Sequence, residues 1–139
     1  FYASDPTRQL SQQLPSEIRI AATDVGTEED EHGVLTAWFA DAQCNYVSFQ
    51  TAAIGYEDEY NDLGVIYVEV NDQCNSCYDG FDIVELRRDR ITVHFGNEEV
   101  MNGLQDIVAS FILSDDRFET VRRDLGRLMR NAKGYQCRA

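Results

Sequence analysis

The chain has 139 residues, 43% hydrophobic and 11% aromatic, which suits one domain with one apolar core and excludes two full domains, a disordered chain and an apolar membrane span. Twenty-five acids stand against twelve bases, a formal charge of −13; such a surface repels nucleic acid and anionic membranes and favours a basic protein partner. The imbalance is local: Phe1 to Glu85 carries 17 acids and only Arg8 and Arg19, while Leu86 to Ala139 carries 8 acids and 10 bases, so one strongly acidic face is expected.

Residues 1–16 are polar and Gln-rich, with Pro6 and Pro15. They read as an N-terminal arm, poorly ordered or packed on a neighbour, ahead of a single domain over 17–139. From Glu17 the alternation of Ile18, Ile20 and Ala22 predicts a first strand. Gly26 to Gly33 is hydrophilic and reads as a turn, and Val34 to Ala40 returns as a second strand, so these two should form a hairpin. Asn45 to Gln50 is a third strand, with Tyr46 and Ser48 facing opposite to Val47 and Phe49. Gly55 to Asp62 is a loop holding four acids and two tyrosines. Val65 to Val70 is a fourth strand, rich in β-branched residues. Asn71 to Gly80 reads as a polar, turn-rich loop.

Phe81 to Arg87 and Arg90 to Phe95 are the fifth and sixth strands around a tight turn at Arg88-Asp89. In the sixth, Ile91, Val93 and Phe95 share one face, with Thr92 and His94 on the other. Leu104 to Leu113 holds Ile107, Val108, Phe111 and Ile112, which favour a strand over a helix. Ser114 is an N-cap followed by Asp115 and Asp116, and Phe118, Val121, Leu125, Leu128 and Met129 form an amphipathic stripe. Gly134 is placed to close that helix. The expected architecture is α+β, mostly β: about seven largely antiparallel strands with one C-terminal helix across one sheet face.

The chain lacks the G-x-x-x-x-G-K, G-x-G-x-x-G and G-x-S-x-G motifs of phosphate, dinucleotide and acyl-transfer sites. His32 falls in a solvent turn and His94 on a strand face, neither in a ligand or nucleophile pair. Cys74-x-x-Cys77 runs into a turn rather than a helix, and Cys44 and Cys137 supply no second C-x-x-C. The four read as reduced cysteines in a cytoplasmic protein, with a disulfide or a metal site as the open alternatives. The pattern points to no enzyme and no cofactor.

Glu57, Asp58 and Glu59 are consecutive in a loop, whereas catalytic carboxylates are held apart on a rigid frame around a pocket. Bracketed by Tyr56 and Tyr60 and followed by Asp62, they make a recognition surface for a basic partner, or else an ordinary solvated loop. The second polar loop adds Asp72 and Tyr78 as contact candidates. Its Asn, Asp, Ser and Gly residues equally suit turn geometry.

Tyr67-Val-Glu-Val-Asn-Asp-Gln73, Ser76-Cys-Tyr-Asp-Gly80 and Ile83-Val-Glu-Leu-Arg-Arg-Asp-Arg-Ile-Thr-Val93 resemble the immunity protein 10 family of bacterial polymorphic toxin systems. So do the apolar strand ending in Trp38-Phe39 and the closing run from Ile107 to Met129. The similarity covers roughly 17–130. The family's pattern has a glycine where this chain has Cys77, so Cys77 reads as a local substitution. The resemblance implies a small, mostly β, cytoplasmic, non-catalytic protein that binds and blocks a cognate toxin domain. The acidic charge suits a basic toxin such as a nuclease, met by a monomer or weak homodimer. The competing reading is a small-ligand-binding or enzymatic domain with a pocket between sheet and helix.

Overall fold

A computed structural model describes residues 13–52 and 65–139. Ten strands and one helix are found among them: β1 (Glu17–Ala21), β2 (Asp24–Glu29), β3 (Val34–Ala40), β4 (Tyr46–Ala52), β5 (Tyr67–Val70), β6 (Asp72–Tyr78), β7 (Ile83–Leu86), β8 (Arg90–His94), β9 (Asp106–Ser110), α1 (Asp115–Leu128) and β10 (Tyr135–Cys137). The fold is mostly β with one C-terminal helix, as expected. The strands number ten rather than about seven, and they form two five-stranded sheets rather than one.

The first sheet is an antiparallel meander, β2-β3-β4-β5-β6, built from one continuous segment. The second, in the order β1-β9-β8-β7-β10, is assembled from chain on both sides of that segment. In this mixed sheet the central pairs are antiparallel, and both edges, β1 on β9 and β10 on β7, are parallel.

The expected hairpin between 17–22 and 34–40 does not form. β1 pairs with β9 in the mixed sheet, and β2 is the partner of β3. The switch takes two residues: Ala22 N–H donates to Ser110 in one sheet (2.8 Å), and Thr23 N–H donates to Ala40 in the other (2.8 Å). The polar stretch Gly26 to Glu29 is therefore strand, not turn. It lies at a sheet edge where Glu28 and Glu29 reach water, so hydrophilicity there does not signal a loop. The hairpin turn is 30–33, with Asp30 accepting from the N–H groups of His32 and Val34 and Gly33 at φ 76°.

Asn71 to Gly80 is likewise mostly strand. β6 pairs with β5 through a bulge beside Glu69 and Val70, and the residues in left-handed conformations, Asn71 and Asp79, stand at its two ends. Its polar side chains reflect a sheet edge; only Asn75 turns inward, to accept from the Asn102 side chain. The strands expected within 45–50, 81–87, 90–95 and 104–113 are present, as β4, β7, β8 and β9.

One hydrophobic core is shared by both sheets and α1. Phe39 of β3 meets Phe49 of β4 at 6.5 Å and Phe111, just beyond β9, at 5.8 Å; Phe111 in turn stacks on Phe118 of α1 at 6.4 Å. These four rings join meander, mixed sheet and helix, and such ring pairs add to the area they bury. α1 starts at Ser114, whose hydroxyl accepts the Arg117 N–H, and buries Phe118, Val121, Leu125 and Leu128 against β2, β3 and β4. It also covers the β2 edge: Arg117 donates to the Val25 carbonyl (2.9 Å), Thr27 to Asp124 (2.6 Å), and Arg127 pairs with Glu29 (3.1 Å). An open edge strand invites pairing with other chains, and the helix blocks it here.

Gly134 does not close the helix, which ends at Met129. It instead sits against the Asp82 carbonyl, where no side chain fits, and that close approach lets β10 join β7. Residues 1–12, most of the expected arm, lie outside the described residues. Of its last four residues, Leu14 donates its N–H to Asn102 and Ser16 accepts from Gln105 and Asp106.

Candidate functional site

Alternation along the meander turns Leu35, Ala37, Phe39, Val47, Phe49, Val68 and Val70 into the core. The same alternation sends Trp38, Tyr46, Ser48, Tyr67, Glu69 and Tyr78 to the opposite, outer face. α1 packs on the core side, so this outer face carries four aromatic side chains with no helix of the described residues over them.

Register arranges them. Gly26, Trp38, Ser48, Glu69 and Ser76 form one row across five strands. Tyr67 and Tyr78 are paired in the next row, with ring centroids 5.2 Å apart. The Trp38 indole lies on Gly26, where a Cβ would stand 2.5 Å from the ring. Its N–H donates to Asp24 (2.9 Å), so the plate is pinned at both ends. Glycine in β2 is therefore required by close approach rather than by a turn.

Glu69 is the centre of the face. Its Oε2 accepts the Tyr46 hydroxyl and its Oε1 accepts the Tyr67 hydroxyl at 2.7 Å. Burial, followed by the hydrogen bond and charge of Glu69, pushes the Tyr46 phenol well above its ordinary value. Tyr67 is raised too, first by burial; Glu69 and Tyr78 add to this, while a hydrogen bond from Ser76 opposes it. Both phenols stay protonated donors across the physiological range and hold the carboxylate still. Tyr78 is 70% exposed, unusual for so large a ring.

The electrostatics of the two outer faces differ. On the mixed sheet, charges pair with one another: Arg19 with Glu17 (2.9 Å), and Glu85 with both Arg87 (2.6 Å) and Arg138 (2.8 Å); Asp106 is hydrogen-bonded to the His94 ring (2.7 Å). The hydrogen bond and charge of Arg87 hold the Glu85 carboxyl below its usual range. On the meander, among the described residues, no ion pair engages Asp24, Glu28 or Glu69. Other acids of the same segment serve turns: Asp41 accepts from Gln43 and Asn45, and the Asn45 side chain chiefly holds its carboxyl low.

Of the residues expected to meet a partner, Tyr78 stands on this face beside Tyr67. Asp72 is exposed at the start of β6, one residue past the tight turn at Asn71. Tyr56, Glu57, Asp58, Glu59, Tyr60 and Asp62 lie outside the described residues; the strands that flank them, β4 and β5, are neighbours in the meander. Trp38, Tyr46, Tyr67 and Glu69 were missed. The signal available was an aromatic residue on the polar phase of an alternating strand, as at Trp38 between Ala37 and Phe39.

The C-x-x-C does not converge. Cys77 turns toward the core, where burial pushes its thiol up, while Cys74 is exposed with its sulfur 3.0 Å from Asp72. No group of three or more His, Cys, Asp or Glu positioned to hold a metal occurs among the described residues. Between α1 and the β2–β3 hairpin lies a groove of about 210 Å³, below the roughly 300 Å³ at which ligand pockets begin. Its charged side chains already engage each other, Arg127 with Glu29 and Arg123 with Asp124. No helix among the described residues is long and apolar enough to cross a membrane.

The sequence profile of one protein family, described as Immunity protein 10, matches residues 21–119. Neither the curated proteins nor the solved structures contain a match.

Proposed function

The chain belongs to the immunity protein 10 family, and from that membership we propose that it binds a cognate bacterial toxin domain and blocks it without catalysis of its own. The toxin domain is basic, such as a nuclease, and the encounter takes place in the cytoplasm. The single observation that carries the choice of partner is the acidic segment. Residues 24–78, the whole meander with its connections, hold 12 acids and not one Lys or Arg. Charge of one sign on one side steers an oppositely charged partner and speeds association.

The binding unit is the domain over 17–139, acting as a monomer or weak homodimer, with 1–16 outside it. Tyr56, Glu57, Asp58, Glu59, Tyr60 and Asp62, with Asp72 and Tyr78, contribute to the contact. An interface of ordinary size takes about 800 Å² from each partner, near a tenth of the 8308 Å² of this surface.

The test is co-expression with the toxin domain encoded in the adjacent reading frame, scored by host survival and co-purification. Rescue with a stable complex is expected. A domain toxic alone that is neither bound nor neutralised would overturn the reading.

A further inference from the structure

We infer that the outer face of the meander sheet is the surface that receives the toxin domain, and that Glu69 at its centre seats an arginine of that domain. The inference rests on the immunity reading and adds the place and the chemistry of recognition.

Charge selects the face. On the outer side of the mixed sheet, Glu17 and Glu85 have arginine partners within the fold and Asp106 is hydrogen-bonded to the His94 ring. Asp24, Glu28 and Glu69 have none among the described residues, and the nearest bases in sequence, Arg19 and Arg87, lie outside the meander. A cation from a partner meets uncompensated carboxylates here and already neutralised ones on the opposite side.

The Glu69 geometry selects arginine. A carboxylate offers about four acceptor positions, two on each oxygen. Tyr46 takes one on Oε2 and Tyr67 takes one on Oε1. One position therefore remains on each oxygen, which matches the two parallel N–H groups of a guanidinium fork. The two phenols also fix the carboxylate, so little rotamer freedom is lost when the fork arrives.

The row supplies the walls. Trp38 and Glu69 are two strands apart, about 10 Å, with only Ser48 between them. A guanidinium set on that small residue meets the Glu69 carboxylate on one side, while the Trp38 indole, laid over Gly26, continues the face on the other side as far as β2. Tyr78, exposed and paired with Tyr67, extends the contact with a rigid ring.

Trp38 is the only tryptophan in the chain, so it reports on its own site. The chain is labelled with 5-fluorotryptophan and titrated with the toxin domain from the adjacent reading frame, following the single fluorine resonance. A shift or broadening that saturates with complex formation is expected. Glu69→Gln and Ser48→Arg should each weaken the complex by about 100-fold, the scale of a central anchor. Thr92→Arg, on the other outer face, should change it less than about threefold.

A complex that protects the host yet leaves the fluorine resonance and both variants unchanged overturns the surface while the immunity reading stands. A toxic domain that the unaltered chain neither binds nor neutralises removes both. The fluorine readout needs no variant, so a failure of Ser48→Arg to fold leaves the test intact.

Discussion

The two sheets share one core but are built by opposite rules. The meander is local: five strands in chain order, all from one segment without Lys or Arg. The mixed sheet is non-local, its edge strands arriving from before the meander and from after the helix. Their outer faces diverge in the same way. The mixed sheet neutralises its charges internally, whereas the meander leaves carboxylates unpaired beside a layer of aromatic rings. A face with internally paired charges is adequate for solubility. An acidic and aromatic face that no element among the described residues covers is suited to a partner.

The sharpest way to break this comparison is through the shared core. Phe39→Ala removes the ring that links β3 to Phe111 and, through it, to α1; a loss of about 4 kcal/mol is expected. Because the core is single, denaturant unfolding followed by tyrosine absorbance and by circular dichroism should shift together. Two separated transitions would mean that the sheets are independent units.

Gly26→Ala is a gentler cut. The new methyl meets the Trp38 ring, which must tilt off β2; about 1–2 kcal/mol is expected, with a change in Trp38 emission. An unaltered spectrum would mean that the ring is not held on β2.

Thr27→Val tests the helix that guards the meander edge. Burial raises the Asp124 carboxyl, but hydrogen bonds from Thr27 and Arg123 prevail and hold it below its ordinary value. A depressed folded value means that its stabilisation is present above the unfolded value of about 3.9 and lost as pH falls through the folded one. The variant should lose about 1 kcal/mol at pH 7 and little at pH 2, measured by urea unfolding at both. An equal loss at both values would show that the charge plays no part.

The smallest effect belongs to the mixed face. Glu85→Gln leaves Arg87 and Arg138 without their carboxylate and should cost the least of these changes in the same assay, and less still in high salt. A much larger loss would mean that the pairing on that face is structural rather than a surface accommodation.

Much of the frame was legible in residue order. The helix could be read because Ser114, two aspartates and a stripe at three- and four-residue spacing all agree. β8 could be read because Ile91, Val93 and Phe95 alternate cleanly. The edge strands of the meander could not. β2 and β6 are polar on both phases because an edge strand can expose side chains on either side, so Glu28, Glu29 and Asp72 to Ser76 resemble loop. The acidic half was visible as composition, and Tyr78 as a single candidate. Glu69 was not visible as a centre, since its two phenol donors come from Tyr46, 23 positions away, and Tyr67, two away.

The sequence by itself determined the local and additive properties: strand-rich character, helix position, charge asymmetry and the family. Tertiary structure decided which strands pair, because pairing energy depends on neighbours that come from anywhere in the chain. Thus β1 leaves β3 for β9, 89 positions away at Glu17 and Asp106. It also decided which acids are available. An Asp in a turn, a Glu beside an Arg and a Glu held by two phenols are alike in sequence, and only their surroundings leave the last with acceptor positions free for a partner.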